Sequence, residues 1–441
     1  MSSSVSERLT HELGTQSILK LLLRFSIPSL ISNLMFTVYN VVDRLFISWK
    51  LGTDAIAGVG ITFYLFMIFI AVGMMFGIGG GTLVSLKLGE KDKESAERIL
   101  GNVIMIFLVG GALTTLLGFL FLKPLLYCFG ASEATYPYAA EYFRILLWFM
   151  AADFLSMGTT NIIRAEGSPN FSMWYIAVGC IANVVLDYIF IMEWNWGIAG
   201  AAWATVISQL ASGVWCLRFA RRKYSQFQLK RQDWRFDWNF AWEHLRIALP
   251  MAFQFSITAI GVIVMQTVLN TFGSTAVAAF TAAAKIDQLA VQPGFSIGIA
   301  IATYAAQNYG AGLYRRIREG VNKCSLLSTV FAILMGAAVI VFCPQFTRLF
   351  VGDGHPEVIP LVRTYMLTNG SCYVILGLLF VYRNALQGIG RAFVPMMAGA
   401  SELVVRTVAA PVLGGAIGYV GVCLSNPLAL SLIHISEPTR H

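Results

Sequence analysis

Long apolar stretches recur along this chain with only short polar breaks between them. Each is about the length that crosses a bilayer as a helix, which takes roughly 20 predominantly apolar residues. Twelve segments qualify: 17–48, 55–86, 95–122, 136–163, 170–192, 197–220, 244–271, 276–306, 320–343, 358–386, 393–416 and 418 onward. Backbone polar groups in lipid must be satisfied internally, so such a chain reads as an all-α polytopic membrane protein. Composition agrees: of 441 residues, 57% are hydrophobic and 12% charged, where soluble domains carry about 45–50% and about 25%. Soluble, disordered and nucleic-acid-binding classes are excluded despite the net charge of +8. The seven cysteines form no CxxC and mostly sit in apolar runs, so neither a disulfide framework nor a zinc site is expected. Met1 to Gly14 is polar and shows no signal-peptide cleavage site.

Charge sets the orientation. With the N-terminus inside, the inner segments carry Lys20, Arg24, Lys87, Lys91, Lys93, Arg98, Arg164, Arg221, Arg222, Lys223, Arg315, Arg316, Arg318, Arg383 and Arg391. The outer loops carry Lys50, Lys123, Arg348 and Arg363. A cytoplasmic N-terminus in the plasma (inner) membrane is expected, and the net charge then suits an anionic inner leaflet. The longest polar stretch, Arg221 to Arg235, leads into Trp234, Trp238 and Trp242. That spacing puts three indoles on one helical face, as in an interfacial segment.

The two halves repeat. Gly52 and Gly273, Gly77 and Gly298, Gly89 and Gly310, Gly167 and Gly388, Gly197 and Gly418, and Gly200 and Gly421 all differ by 221, while Pro28 and Pro250 differ by 222. Six matches at one offset indicate duplication. Each half has an even number of spans, so the two six-helix lobes are expected to be related by a pseudo-two-fold axis along the membrane normal, as in transporters that rock one bundle against the other. The expected organisation is a cytoplasmic tail at 1–13, a first lobe at 14–221, a linker at 222–243 and a second lobe at 244–429 with its last span cut short. Residues 430–441 depart from the repeat. Leu430 to Arg440 reads as the translation of a transposase-type sequencing adapter, so the native sequence is expected to end near Ala429. The alternative is a natural polar tail. Pro28, Pro250 and Pro293 are expected bend points.

Ionisable groups inside spans default to functional hypotheses. Asp43 lies six residues before Trp49, about 9 Å deep at 1.5 Å per residue. Phe36, Tyr39 and Asn40 share its helical face. Asn183 and Asp187 form an i,i+4 pair in span five, and Thr205 in span six has a similar depth. A carboxylate pair of this kind can take up a proton or bind Na⁺ through hard oxygen ligands; the alternative is a structural polar cluster tying the three spans together. Tyr138 and Tyr142 either face the same cavity or belong to an aromatic belt. The second half has Val264 and Val408 where the offset would put carboxylates. It offers Phe253, Gln254, Phe255, Met265 and Gln266, an adaptable wall. Glu402 and Arg406 read as an intrahelical ion pair, and Lys285 and Asp287, two apart, each need a partner elsewhere. Gly77 to Gly81 reads as close helix packing. No nucleophile–base pair or metal cluster is evident, so the chain reads as no enzyme and needs no cofactor.

The motifs Asn40-Val41-Val42-Asp43, Leu51-Gly52, Leu88-Gly89, Arg164-Ala165-Glu166-Gly167-Ser168-Pro169 and Asn183-Val184-Val185-Leu186-Asp187 lie in the first half. Gln307-Asn308-Tyr309-Gly310-Ala311-Gly312 and Leu386-Gln387-Gly388-Ile389-Gly390 lie in the second. In these the sequence resembles the multidrug and toxic compound extrusion (MATE) family, its prokaryotic branches above all. The resemblance implies two six-helix lobes and efflux of organic, often cationic compounds in exchange for H⁺ or Na⁺. It also implies that Asp43, Asn183, Asp187 and Thr205 hold the coupling ion. Phe36, Tyr39, Asn40, Tyr138, Tyr142, Gln254 and Met265 are the expected substrate-cavity residues. The expected partners are small organic molecules and the lipid bilayer, with no nucleic acid, and a monomer. Some relatives use second-lobe carboxylates on spans seven and ten, where this chain has none in the apolar core. A lipid-linked oligosaccharide flippase of the same superfamily is the alternative within transport; a membrane enzyme or receptor is the alternative outside it.

Overall fold

The structure is a computed structural model that describes residues 15–165, 168–223, 236–352 and 356–436. The described residues are helical almost throughout and contain no strand. Residues 1–13, Gly167, most of the linker including Trp234, and 437–441 lie outside them.

The first half comprises α1 (Ile18–Leu51), α2 (Thr53–Gly89), α3 (Lys93–Leu120), α4 (Leu122–Cys128), α5 (Tyr136–Trp148), α6 (Met150–Ala165), α7 (Pro169–Asp187) and α8 (Gly197–Lys223). The second comprises α9 (Trp238–Asn270), α10 (Ser274–Ala290), α11 (Gln292–Gly310), α12 (Tyr314–Val341), α13 (Cys343–Val351), α14 (Val358–Gly370), α15 (Tyr373–Gly388), α16 (Phe393–Ile417) and α17 (Tyr419–Ser436).

Duplication is visible in the backbone. Gly52 (φ 81°) and Gly273 (φ 88°) precede α2 and α10, while Gly197 (φ 62°) and Gly418 (φ 69°) mark the start of the last span in each half. These left-handed conformations favour glycine, which has no Cβ to clash. The short helices α4 and α13 begin at Leu122 and Cys343, again 221 apart.

Among the described residues, eight helices are long and apolar enough to cross a membrane, and eleven spans result if each bent pair is one. The bent pairs are α5–α6 (59°), α10–α11 (42°) and α14–α15 (49°). Pro293 sits just past the α10–α11 break, where its missing N–H leaves the carbonyl four residues back without its helical donor. Pro28 and Pro250 lie inside α1 and α9 without interrupting them.

The described chain falls into two compact units. One contains Ile27–Ala248 and Ala306–Leu313; the other contains Ser17–Ser26, Leu249–Ala305 and the residues from Tyr314 on. In the first unit, small residues let backbones approach closely. A Cβ built on Gly111 would lie 2.4 Å from Ala151 Cα, and one on Gly80 would lie 2.7 Å from Val103. The glycine-rich run in α2 is therefore a packing surface. At the ends of α2 and α11, a Cβ on Gly89 would lie 2.2 Å from the Gln307 carbonyl oxygen, and one on Gly310 would lie 2.0 Å from that of Leu86. In the second unit the core is built from Met265, Leu269, Phe280, Ile286, Tyr365 and Met366 among others.

Candidate ion-coupling site

Three helices of the first unit bring oxygen-bearing side chains together. Asp43 comes from α1, Asn183 and Asp187 from successive turns of α7, and Thr205 from α8. All four are buried. The carboxyl groups of Asp43 and Asp187 lie within hydrogen-bonding reach of one another. Asn183 Nδ2 donates to Thr205 Oγ1 at 3.4 Å, and the Tyr142 hydroxyl reaches Thr205 as well. Asp43 Oδ1, Asn183 Oδ1 and both carboxylate oxygens of Asp187 have no donor in the structure.

That arrangement is chemically unfinished. Two carboxylates both accept hydrogen bonds and neither donates when ionised. Facing each other out of water, they attract only when a proton or a cation sits between them. Asn183 and Thr205 extend the oxygen set for such a cation. Immediately after Asp187 the helix widens into a π-helix, Tyr188–Glu193. π-Helical turns recur at functional sites, and nothing in the sequence announces this one. The segment is wedged by ring contacts, Phe190 lying 4.7 Å from Trp196 and 5.1 Å from Trp194.

The expected cavity residues fall in different places. Tyr39 is electrostatically coupled to Asp43, and its ring meets that of Phe36 edge-on at 5.2 Å. Asn40 donates to the Phe36 carbonyl within its own helix at 2.7 Å. Tyr138 lies one turn before Tyr142, against Gly58 of α2. Gln254 and Met265 belong to the second unit; Met265 is part of its apolar core, and Gln254 is hydrogen-bonded to Gln387. Asp153 of α6 lies within electrostatic range of Tyr39 and Tyr175, a link spacing alone does not show.

In the second unit, Lys285 and Asp287 do find separate partners. Lys285 Nζ lies 5.9 Å from the Phe350 ring centroid, and Asp287 accepts from the Tyr373 hydroxyl at 2.7 Å. Glu402 and Arg406 pair within α16. Arg383, counted above among the inner-face charges, is buried beside Glu402. Among the described residues no three His, Cys, Asp or Glu side chains are grouped to hold a metal.

Two repeated helical halves, with ionisable side chains buried in the spans, define a membrane transporter rather than an enzyme. The family model described as MatE matches residues 28–189 and again 250–412, and the chain belongs to that family of multidrug export transporters. The chain is 24% identical over 384 residues to the probable multidrug resistance protein YoeA of Bacillus subtilis, covering 86% of this chain and 82% of that protein. It is 25% identical to a protein of Shewanella oneidensis named as an FAD transporter, covering 97% and 95%. The fold matches a crystal structure of MATE in complex with MaL6 with a TM-score of 0.91 at 24% identity, over 98% and 97% of the two chains. An outward-facing multidrug resistance MATE transporter of the MOP superfamily matches equally, with a TM-score of 0.91 at 23% identity, over 99% and 97%.

Proposed function

We propose that the protein is a secondary active antiporter that exports organic, lipophilic cationic compounds in exchange for H⁺ or Na⁺. It works in the inner membrane with its N-terminus in the cytoplasm. Asp43, Asn183, Asp187 and Thr205 are the coupling site. The observation that carries this reading is the facing of the Asp43 and Asp187 carboxyl groups from two different helices. An ion entering from outside satisfies both carboxylates and draws α1 and α7 together. Its release to the cytoplasm separates them. Because α1 also carries Phe36 and Tyr39, the same movement changes the surface offered to cargo, and aromatic faces attract organic cations. The lipid-linked oligosaccharide flippase is disfavoured here because the first-unit cluster is acidic.

The test is transport of a fluorescent lipophilic cation in inside-out vesicles under an imposed pH or Na⁺ gradient. Gradient-driven transport is expected in the wild type, and a loss of at least about tenfold in Asp43→Asn and in Asp187→Asn, the order expected for a required charge. The gradient that drives transport names the ion. Undiminished transport by both variants sinks the assignment.

A further inference from the structure

Asp153 is a third acid of the first unit, and the coupling site leaves it unused. It falls in the first turn of α6, just after the 59° break between α5 and α6. The break puts a helix start inside the spans, and the positive end of a helix dipole favours an ionised carboxylate. No side chain among the described residues donates a hydrogen bond to Asp153 or pairs with its charge. Tyr39 stands within electrostatic range of Asp43, Asp187 and Asp153 alike, and Tyr175 within range of Asp153. The lone carboxyl therefore links the coupling pair, by way of Tyr39, to Tyr175.

From Tyr175 a seam of hydroxyl groups runs between α6, α7 and α8. The Tyr175 hydroxyl is hydrogen-bonded to Ser156 Oγ and reaches Ser212 as well. One turn further on, Thr160 faces Cys216 at 3.9 Å, and beyond them Arg164 donates to Ser172 at 3.1 Å. Ser156, Thr160, Ser172 and Ser212 are all buried. Helical Ser and Thr often bond back to their own helix, as Thr160 does to the Ser156 carbonyl. Back-bonding explains neither the contact of Ser156 with Tyr175 across two helices nor a carboxyl group without a donor. The seam is also tight: a Cβ on Gly213 would lie 2.6 Å from Ser156 Oγ, and one on Gly179 would lie 3.2 Å from Ser212 Oγ. Such packing leaves no room for a metal ion with its shell of oxygen ligands. A proton needs none, because each hydroxyl both donates and accepts.

We propose that Asp153 is the relay that carries the coupling proton from the Asp43–Asp187 pair toward the cytoplasm, with Tyr39 on its entry side and Tyr175, Ser156 and Ser212 on its exit side. The relay rests on the antiport reading and narrows its coupling ion to H⁺. The proton held between Asp43 and Asp187 passes to the Tyr39 hydroxyl, which gives its own proton to Asp153. The pair is left ionised and Asp153 neutral. Asp153 then protonates the Tyr175 hydroxyl as that group hands its own proton to Ser156 or Ser212, and Asp153 returns to the carboxylate. Acids within spans are a recurring means of moving protons across a membrane. Because Tyr39 belongs to α1, movement of that helix makes or breaks the entry step.

The test uses full-length protein in phosphatidylcholine vesicles, with ethidium transport driven by an imposed pH or Na⁺ gradient. Asp153→Asn has the size of aspartate but no acidic proton; Asp153→Glu is larger and keeps one. Asp153→Asn is expected to slow pH-driven transport at least about tenfold, within the scale of a lost proton-transfer group. Asp153→Glu is expected to retain most of the rate. A merely structural role predicts the reverse order and overturns the relay. Tyr175→Phe is expected to slow transport severalfold, which keeps the test decisive if Asp153→Asn fails to fold. Equilibrium binding of ethidium to purified Asp153→Asn is expected to match the wild type. Binding lost in parallel with transport would make Asp153 the counter-ion of the cargo and overturn the relay. Undiminished pH-driven transport in Asp153→Asn overturns it too, as does a wild type driven by Na⁺ alone. In either of those cases, loss of transport in Asp43→Asn leaves the antiport reading standing without the relay.

Discussion

A methyl group on Gly158 would sit 1.9 Å from Cζ of Phe107, a ring with no solvent exposure. Gly158→Ala is therefore expected to destabilise the protein by about 1–3 kcal/mol through overpacking. The check is the melting temperature of detergent-purified protein, and an unchanged value would mean that the ring has room to move. Individual residues were also where the sequence spoke least evenly. Asp43, Asn183, Asp187 and Thr205 were legible because charge and amide groups are rare inside apolar runs and because their depths agree. Gln254 and Met265 were grouped as one adaptable wall, yet one joins a polar network and the other the apolar core. Residue type alone does not say which neighbour a helix will turn a side chain toward.

At the scale of the element, hydropathy finds spans but not their interruptions. The breaks in α5–α6 and α14–α15 carry no proline at the joint, and Phe149 looks like any other membrane residue. The π-helical turn after Asp187 is equally silent, since one extra residue in a turn leaves composition unchanged. Interrupted spans need local support. Asp287, one turn before the α10–α11 break, accepts from Tyr373, the first residue after the α14–α15 break. The bond therefore fastens two bent spans at their bends. Tyr373→Phe keeps the ring and removes the donor, stranding a carboxyl group; a loss of about 1–3 kcal/mol is expected. Thermal melting reads the loss, and adding Asp287→Asn to the Tyr373→Phe variant should recover part of it. No recovery would assign the loss to ring packing.

Across the whole molecule, duplication was the most legible property, because glycines that close turns or allow close helix crossings cannot drift freely. Chemistry has diverged where the backbone has not. The first half keeps two facing acids on α1 and α7; the second keeps Arg383, Glu402 and Arg406 on α15 and α16. The nearness of Arg383 to Glu402 depends on which spans are neighbours, which no local pattern encodes. The crossing of α2 and α11 tolerates no Cβ on either side. Gly89→Ala and Gly310→Ala are each expected to cut the yield of monodisperse protein severalfold in size-exclusion chromatography. A normal profile for either would show that the helix ends can part.

That crossing has its own symmetry. Gly89 meets the carbonyl of Gln307, Gly310 meets that of Leu86, and both Gly89 with Gly310 and Leu86 with Gln307 differ by 221. A contact that returns itself when its two sides are exchanged is the mark of a two-fold dimer interface. A half-length ancestor could have greeted its own copy through this one glycine, and gene fusion would then have turned an encounter between two molecules into a permanent internal joint.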